Sequence, residues 1–132
     1  GMDRIANEGI RFTQGFCTAA TSTPSRYSVM TGLYPWTSKD AKILPGNAAL
    51  IIDTEKMTLP KLMKQAGYAT GFIGKWHIGL GDGNVDWNKD VHPGAAEIGY
   101  DYSFIQAAMN DRVPCVFLEN GRVVGLDPND PL

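Results

Sequence analysis

Thr58-Leu59-Pro60-Lys61-Leu62-Met63-Lys64-Gln65-Ala66-Gly67-Tyr68-Ala69-Thr70-Gly71-Phe72-Ile73-Gly74-Lys75-Trp76 is the stretch that decides the fold class. Threonine followed by Leu-Pro opens a helix: the hydroxyl can cap, and proline suits the first turn because its missing N–H would be unsatisfied there anyway. Leu59, Leu62, Met63 and Ala66 recur at i, i+3, i+4 and i+7 and predict one buried stripe. Gly67 closes the helix. Tyr68 to Trp76 then reads as a strand, and a helix feeding a strand is a unit of α/β type.

Working outward, Thr23-Pro24 repeats the helix-start signal, and the helix would run through Arg26, Tyr27, Val29 and Met30 to Gly32. Ala19 to Ser25 is small and polar and reads as a tight loop. Met2, Ile5 and Ala6 at one-turn spacing predict a short helix over Met2 to Glu8, stopped by Gly9, with Ile10 to Thr13 as a strand. Gly79 to Gly99 has little periodicity and reads as a long loop. Val116-Phe117-Leu118-Glu119 and Arg122-Val123-Val124 flank Asn120-Gly121, a strong hairpin signal, because both turn positions need φ above zero. The tail from Asp127 to Leu132 is turn-like.

Composition bounds the rest. A chain of 132 residues with 43% hydrophobic and 20% charged residues is one globular domain, not a disordered tail, a collagen-like rod or a coiled coil. Its longest apolar run, Ala48 to Ile52, stops at Asp53, far short of the about 18 residues of a membrane span. A net charge of -2 leaves no global footprint for nucleic acid. Two cysteines, Cys17 and Cys115, cannot build a disulfide scaffold or a Cys-rich zinc site. The 15 glycines, roughly 11% against an average of about 7%, predict many loops. No signal peptide is visible, Gly1 before Met2 reads as a tag remnant, and the compartment is not readable from the chain.

Several motifs fail on inspection. Asp82, Asn84 and Asp86 start like a calcium loop, but Trp87 and Pro93 stand where glycine and glutamate are required. Gly74-Lys75 is followed by Trp76, and Ala69 occupies the first glycine position of a phosphate loop. His77 and His92 lack zinc spacing.

Two segments keep an anion-site logic. Ser22-Thr23-Pro24-Ser25-Arg26 puts hydroxyls at a helix start and a guanidinium in its first turn. A cation there opposes the helix dipole unless an anion sits between it and the amide groups. A capped helix with a surface arginine accounts for the same residues. In Gly74-Lys75-Trp76-His77, alternation along a strand puts Lys75 and His77 on one face and Trp76 on the other. A solvated lysine and a hydrogen-bonded histidine at a strand end is the simpler account.

Taken together, the segments resemble the type I sulfatases. That family's first signature stands here as Ser22-Thr23-Pro24-Ser25-Arg26-Tyr27-Ser28-Val29-Met30-Thr31-Gly32, and its second as Gly67-Tyr68-Ala69-Thr70 through Gly74-Lys75-Trp76-His77-Ile78-Gly79. The resemblance covers Met2 to Ser103 at least. It implies an alkaline-phosphatase/sulfatase-like fold, with a mainly parallel sheet flanked by helices and the C-terminal β-hairpin, and it makes residues 1–132 a fragment of a catalytic domain.

The resemblance also implies chemistry. Ser22 would be oxidised to formylglycine, because a plain serine hydroxyl is a weak nucleophile without an adjacent base. The hydrated aldehyde offers one hydroxyl to attack sulfur and a second whose deprotonation expels sulfate. Arg26 would hold the modified residue, while Lys75 and His77 would bind sulfate oxygens and the bridging oxygen. Ser103 resembles a further sulfate-side serine of some sulfatases, and a turn hydroxyl explains it equally. The family's divalent cation, usually calcium, draws its carboxylates from motifs that are not found here. Of the metal ligands only Ser22 as formylglycine would be present, so the chain alone is expected to bind no cation and to be inactive.

The expected partners are a sulfate ester or sulfate anion, with no nucleic acid and no membrane. Exposed apolar surface and strand edges predict a self-associating homo-oligomer. A full-length parent would be periplasmic or secreted. A phosphate or phosphonate ester hydrolase of the same superfold, or a non-catalytic truncated product, are the competing readings. Tyr102, Asn110, Asp111 and Arg112 suit either a pocket wall or a surface loop.

Overall fold

A computed structural model describes residues 1–132. Three short helices, α1 (Met2–Glu8), α2 (Ser22–Thr31) and α3 (Leu59–Gln65), accompany one sheet of β1 (Gly71–Lys75), β2 (Tyr102–Gln106), β3 (Phe117–Glu119) and β4 (Arg122–Val123). The strand order is β1-β2-β3-β4. Strands β1 and β2 are parallel with Lys75 opposite Gln106, whereas β2–β3 and β3–β4 are antiparallel. The sheet is therefore mixed, its parallel pair completed by the expected C-terminal β-hairpin, and with the helices beside it this is the expected α/β arrangement of the alkaline-phosphatase/sulfatase-like fold. The hairpin turns on Asn120 (φ 47°) and Gly121 (φ 87°), the left-handed pair the Asn-Gly dipeptide predicts.

Helix α2 starts at Ser22, two residues before the reading of Thr23-Pro24 placed it. Thr21 is its extended N-cap residue, and Gly32 (φ 71°) closes it with its N–H on the Ser28 carbonyl. Thr23 is thereby released from capping and spends its hydroxyl elsewhere. Helix α3 starts as expected, with Thr58 Oγ1 accepting from the Lys61 N–H. Its apolar stripe is not buried: Leu59, Leu62 and Met63 are 43%, 53% and 37% exposed. Polar anchors hold the helix instead. The Thr58 hydroxyl donates to the Ile98 carbonyl, and Lys64 pairs with Asp101 at 2.6 Å.

The strand expected over Ile10 to Thr13 does not form, because its backbone finds no strand edge to pair with, and Ile10 and Phe12 stay exposed. β1 is also shorter than expected: Tyr68 to Thr70 precede the ladder.

Trp76, Ile78, Ile98, Ile105 and Leu118 form the centre of the core, joined by Tyr27 and Met30 of α2. The Phe72 ring meets Trp76 edge-on at 5.2 Å, and Trp76 Nε1 donates to the Gly79 carbonyl at 2.7 Å. Gly79 shows why its position demands glycine. Its φ is +82°, and a Cβ there would lie 1.8 Å from the Ala49 carbonyl oxygen. Bonds from Leu80 N–H to Ala48 and from Ile51 N–H to Ile78 seal this close approach. It fixes the chain just after β1, where the two signatures meet. No helix is long and apolar enough to cross a membrane.

Candidate functional site

Ser22 and Arg26 lie one turn apart on α2, so their side chains share a face. Arg26 Nε donates to Ser22 Oγ at 3.0 Å, and its Nη1 donates to the Lys75 carbonyl at 2.5 Å. One guanidinium thus holds the serine and clamps the helix start to the end of β1. On that strand end, Trp76 N–H donates to Gln106 and His77 N–H to Ala107, which extends the β1–β2 ladder to His77.

Every polar group of His77 is used. Its carbonyl accepts the Thr23 hydroxyl at 2.7 Å. Its Nε2 lies 2.9 Å from the Leu44 carbonyl, and its Nδ1 lies 3.1 Å from Ser22 Oγ. A carbonyl can only accept, so Nε2 carries the proton. In the neutral ring Nδ1 is then an acceptor for the Ser22 hydroxyl. Burial, first of all, pushes the imidazole below its ordinary value, the Leu44 bond opposes it, and the nearby cations Lys75, Arg112 and Arg26 push the same way as burial. The His77 backbone sits at φ 53°, an uncommon conformation for a side chain larger than glycine, and these four bonds hold it there.

The site is electropositive. Burial lowers the Arg26 guanidinium. Lys75 is lowered by burial and then by Arg26, with Asp111 opposing and Arg112 adding to the repulsion. The Lys75 ammonium is paired with no carboxylate. Gathered cations with so little compensation are arranged for an anion.

Ser22, Arg26, Lys75 and His77 therefore come together, and Ser103 does not join them. Ser103 pairs with Phe72, three positions before Lys75 on the strand, and is bound by its backbone to Asn120. It lines a separate cavity of about 90 Å³ with His92 and Glu97. Two contributions escaped sequence reading. The Leu44 carbonyl carries no side-chain signal at all, and Thr23 looked like a cap. Arg112 was read as suiting a pocket wall or a surface loop alike. A divalent cation of the implied kind takes six or more oxygen ligands. The groups around Ser22 are guanidinium, ammonium and imidazole, and the chain gathers no three His, Cys, Asp or Glu side chains able to hold a metal. These residues do not fit such an ion.

The Sulfatase family profile matches residues 2–113. The chain belongs to the sulfatase family. An N-acetylgalactosamine-6-O-sulfatase of Bacteroides thetaiotaomicron is 55% identical over 99% of this chain, which spans 26% of that protein's length. A solved structure concerned with metabolism of multiple glycosaminoglycans by Bacteroides thetaiotaomicron superposes with a TM-score of 0.90 at 55% identity, over 98% of this chain and 27% of that one. The crystal structure of Ps i-CgsB superposes with a TM-score of 0.67 at 22% identity, over 93% of this chain and 31% of its own, a likeness of fold alone. The chain thus spans about a quarter of that Bacteroides relative's length. In this sulfatase segment the first signature supplies the helix start and the second supplies the strand end, and their meeting point is the Ser22 hydroxyl.

Proposed function

We propose that this chain is part of a catalytic domain that hydrolyses sulfate esters, and that Ser22 is the residue converted to formylglycine. The observation that carries this reading is the placement of Ser22 Oγ between an arginine donor and a histidine acceptor, 3.0 Å and 3.1 Å away. The oxidised residue would supply, in hydrated form, the hydroxyl that attacks sulfur.

The chain's own residues do the rest. Arg26 Nε–H holds the oxygen on Ser22 and stabilises negative charge as it develops there. His77 Nδ1, the lone-pair nitrogen of the tautomer that the Leu44 bond selects, takes a proton from a hydroxyl at this position. Because Nε2 is committed to Leu44, the imidazole works on the Ser22 side, and Lys75 is left as the cation for the sulfate oxygens. That divides tasks the signature alone assigned to Lys75 and His77 jointly. High identity to an N-acetylgalactosamine-6-O-sulfatase supports a 6-O-sulfated amino sugar as the substrate class.

The test is expression with a formylglycine-generating enzyme. The peptide containing Ser22 is expected about 2 Da lighter, for loss of two hydrogens. In the longer catalytic domain that this chain is proposed to be part of, sulfate release from 6-O-sulfated N-acetylgalactosamine is expected to vanish in Ser22→Ala. A correctly oxidised protein that releases phosphate from the matching phosphate ester but no sulfate would overturn the assignment.

A further inference from the structure

Ligands of α/β sheets sit outside the carboxyl ends of parallel strands, and here the parallel pair β1–β2 ends together at Lys75 and Gln106. Gln106 lies in neither signature. Its carbonyl accepts the Trp76 N–H at 2.9 Å, and the next carbonyl, that of Ala107, accepts the His77 N–H at 3.0 Å. Gln106 is thus bonded to the residue between Lys75 and His77. The register sets it directly opposite Lys75. Alternation gives opposed residues the same face, and neighbouring strands lie about 4.8 Å apart, so the two side chains leave the sheet side by side. Both residues are half-buried.

The Gln106 amide is held at one end only. Its Nε2 donates to Asn110 Oδ1 and, at 3.7 Å, to Cys115 Sγ. An amide nitrogen has two N–H groups, so the loop after β2 takes both. The same loop closes on itself, with Cys115 Sγ 4.0 Å from Asn110 Oδ1. These contacts fix the amide with its oxygen, Oε1, as the free end. Beside it, the Lys75 ammonium has no carboxylate partner. An unspent neutral acceptor next to an unspent cation matches a ligand that offers an anionic oxygen and, within about 5 Å of it, an N–H or O–H donor. Free sulfate offers acceptors alone. A sulfate ester whose alcohol also carries a hydroxyl or an amide offers both.

We propose that Gln106 is a specificity-determining residue whose Oε1 accepts a hydrogen bond from a hydroxyl or amide N–H on the alcohol side of the ester, beside the sulfate that Lys75 holds. This inference rests on the sulfate-ester reading of the Ser22 site and adds that the alcohol is recognised through a donor rather than through a charge. An amide suits that task next to a cation. A carboxylate would accept the same bond, but it would also pair with Lys75 and spend the charge that the sulfate needs.

The test compares two esters in the longer catalytic domain, oxidised at Ser22. One is 6-O-sulfated N-acetylgalactosamine, which carries donors; the other is 4-nitrophenyl sulfate, whose alcohol side carries no N–H or O–H. Gln106→Met keeps the length of the side chain and removes the acceptor. It is expected to lower the ratio of kcat/KM for the sugar over that for the aryl ester by about threefold to tenfold, the range of one neutral hydrogen bond, chiefly through the KM of the sugar. Gln106→Glu keeps an acceptor oxygen and adds a charge beside Lys75. It is expected to retain the parent ratio while raising KM for both esters. An unchanged ratio in Gln106→Met, or a ratio in Gln106→Glu that falls as far as in Gln106→Met, overturns the inference and leaves the sulfate-ester reading standing. So does a parent protein that cleaves the aryl ester alone. If Gln106→Met does not fold, Gln106→Glu decides: the parent ratio with a raised KM supports the contact, and a reduced ratio refutes it. A parent protein that releases sulfate from neither ester overturns the sulfate-ester reading and this inference with it.

Discussion

Thr23→Val removes one atom group from the joint between the two signatures. Thr23 is fully buried, and its hydroxyl donates to the His77 carbonyl at 2.7 Å. Valine has nearly the same shape, so packing is kept and the donor alone is lost. The His77 residue is 1% exposed, which denies its carbonyl a water as a replacement. A buried acceptor stripped of its partner costs about 1–3 kcal/mol, and the middle of that range shifts the folding equilibrium by roughly 30-fold. The backbone at φ 53° raises the stakes, since that conformation persists only while its neighbours enforce it. Thr23→Ser is the control: it keeps the donor and loses one methyl, worth about 1 kcal/mol. Urea denaturation reads both, with the midpoint expected to fall further for valine than for serine at constant slope. Sulfate release should fall in the same order, because the carbonyl bond sets the imidazole against Ser22. Valine and serine variants with the same midpoint, or a valine variant as stable as the parent, would refute the claim that this hydroxyl holds the joint.

Two further outcomes follow from the same packing. Gly79→Ala is expected to destabilise by about 1–2 kcal/mol from its left-handed backbone alone, and by more because the new methyl would sit 1.8 Å from the Ala49 carbonyl oxygen; a thermal melt matching the parent would contradict the close approach. Asp101 is held at about 2 by the Lys64 bond first, then by the Thr70 N–H and hydroxyl. Its contribution is present above the unfolded value of about 3.9 and is lost as pH falls towards about 2. Asp101→Asn should therefore be less stable than the parent near neutral pH, with the gap closing in acid; a gap constant across that range would show that the carboxylate charge is not what ties α3 to β1.

The parts of the fold that sequence reading placed correctly are those written in local chemistry. Asn120-Gly121 fixes a hairpin because both residues tolerate positive φ, and Thr58-Leu59-Pro60 fixes a helix start because capping is decided within one turn. Reading failed where a partner outside the segment decides the outcome. The α3 stripe has the right period, but polar bonds to Ile98 and Asp101 set the helix orientation and leave Leu62 outward. Ile10 to Thr13 has strand composition but no edge to join. In the site, Ser22, Arg26, Lys75 and His77 were legible because their spacing is itself a signature. The Leu44 carbonyl was not, since any residue type offers one. Ser103 shows the limit of carrying a role by likeness: its hydroxyl lies on the wrong part of β2 to meet Ser22.

The geometry also separates what builds the site from what the site is for. Arg26 and His77 are positioned by backbone carbonyls, those of Lys75 and Leu44, and His77 in turn is fixed by Thr23 and Ala107. None of these bonds needs an anion. The cations are therefore held in place before a ligand arrives, against their mutual repulsion, by neutral groups that add no opposing charge. Had carboxylates done the holding, the same geometry would have been cheaper for the fold and useless for binding, because the positive field would have been spent internally. Asp111 is the exception, and its effect on Lys75 is smaller than that of Arg26. A scaffold that leaves its guanidinium and ammonium charge uncompensated at a helix start keeps that charge available for an anion, and in the proposed sulfate-ester reaction that is the transition state, where preorganised donors lower a barrier most.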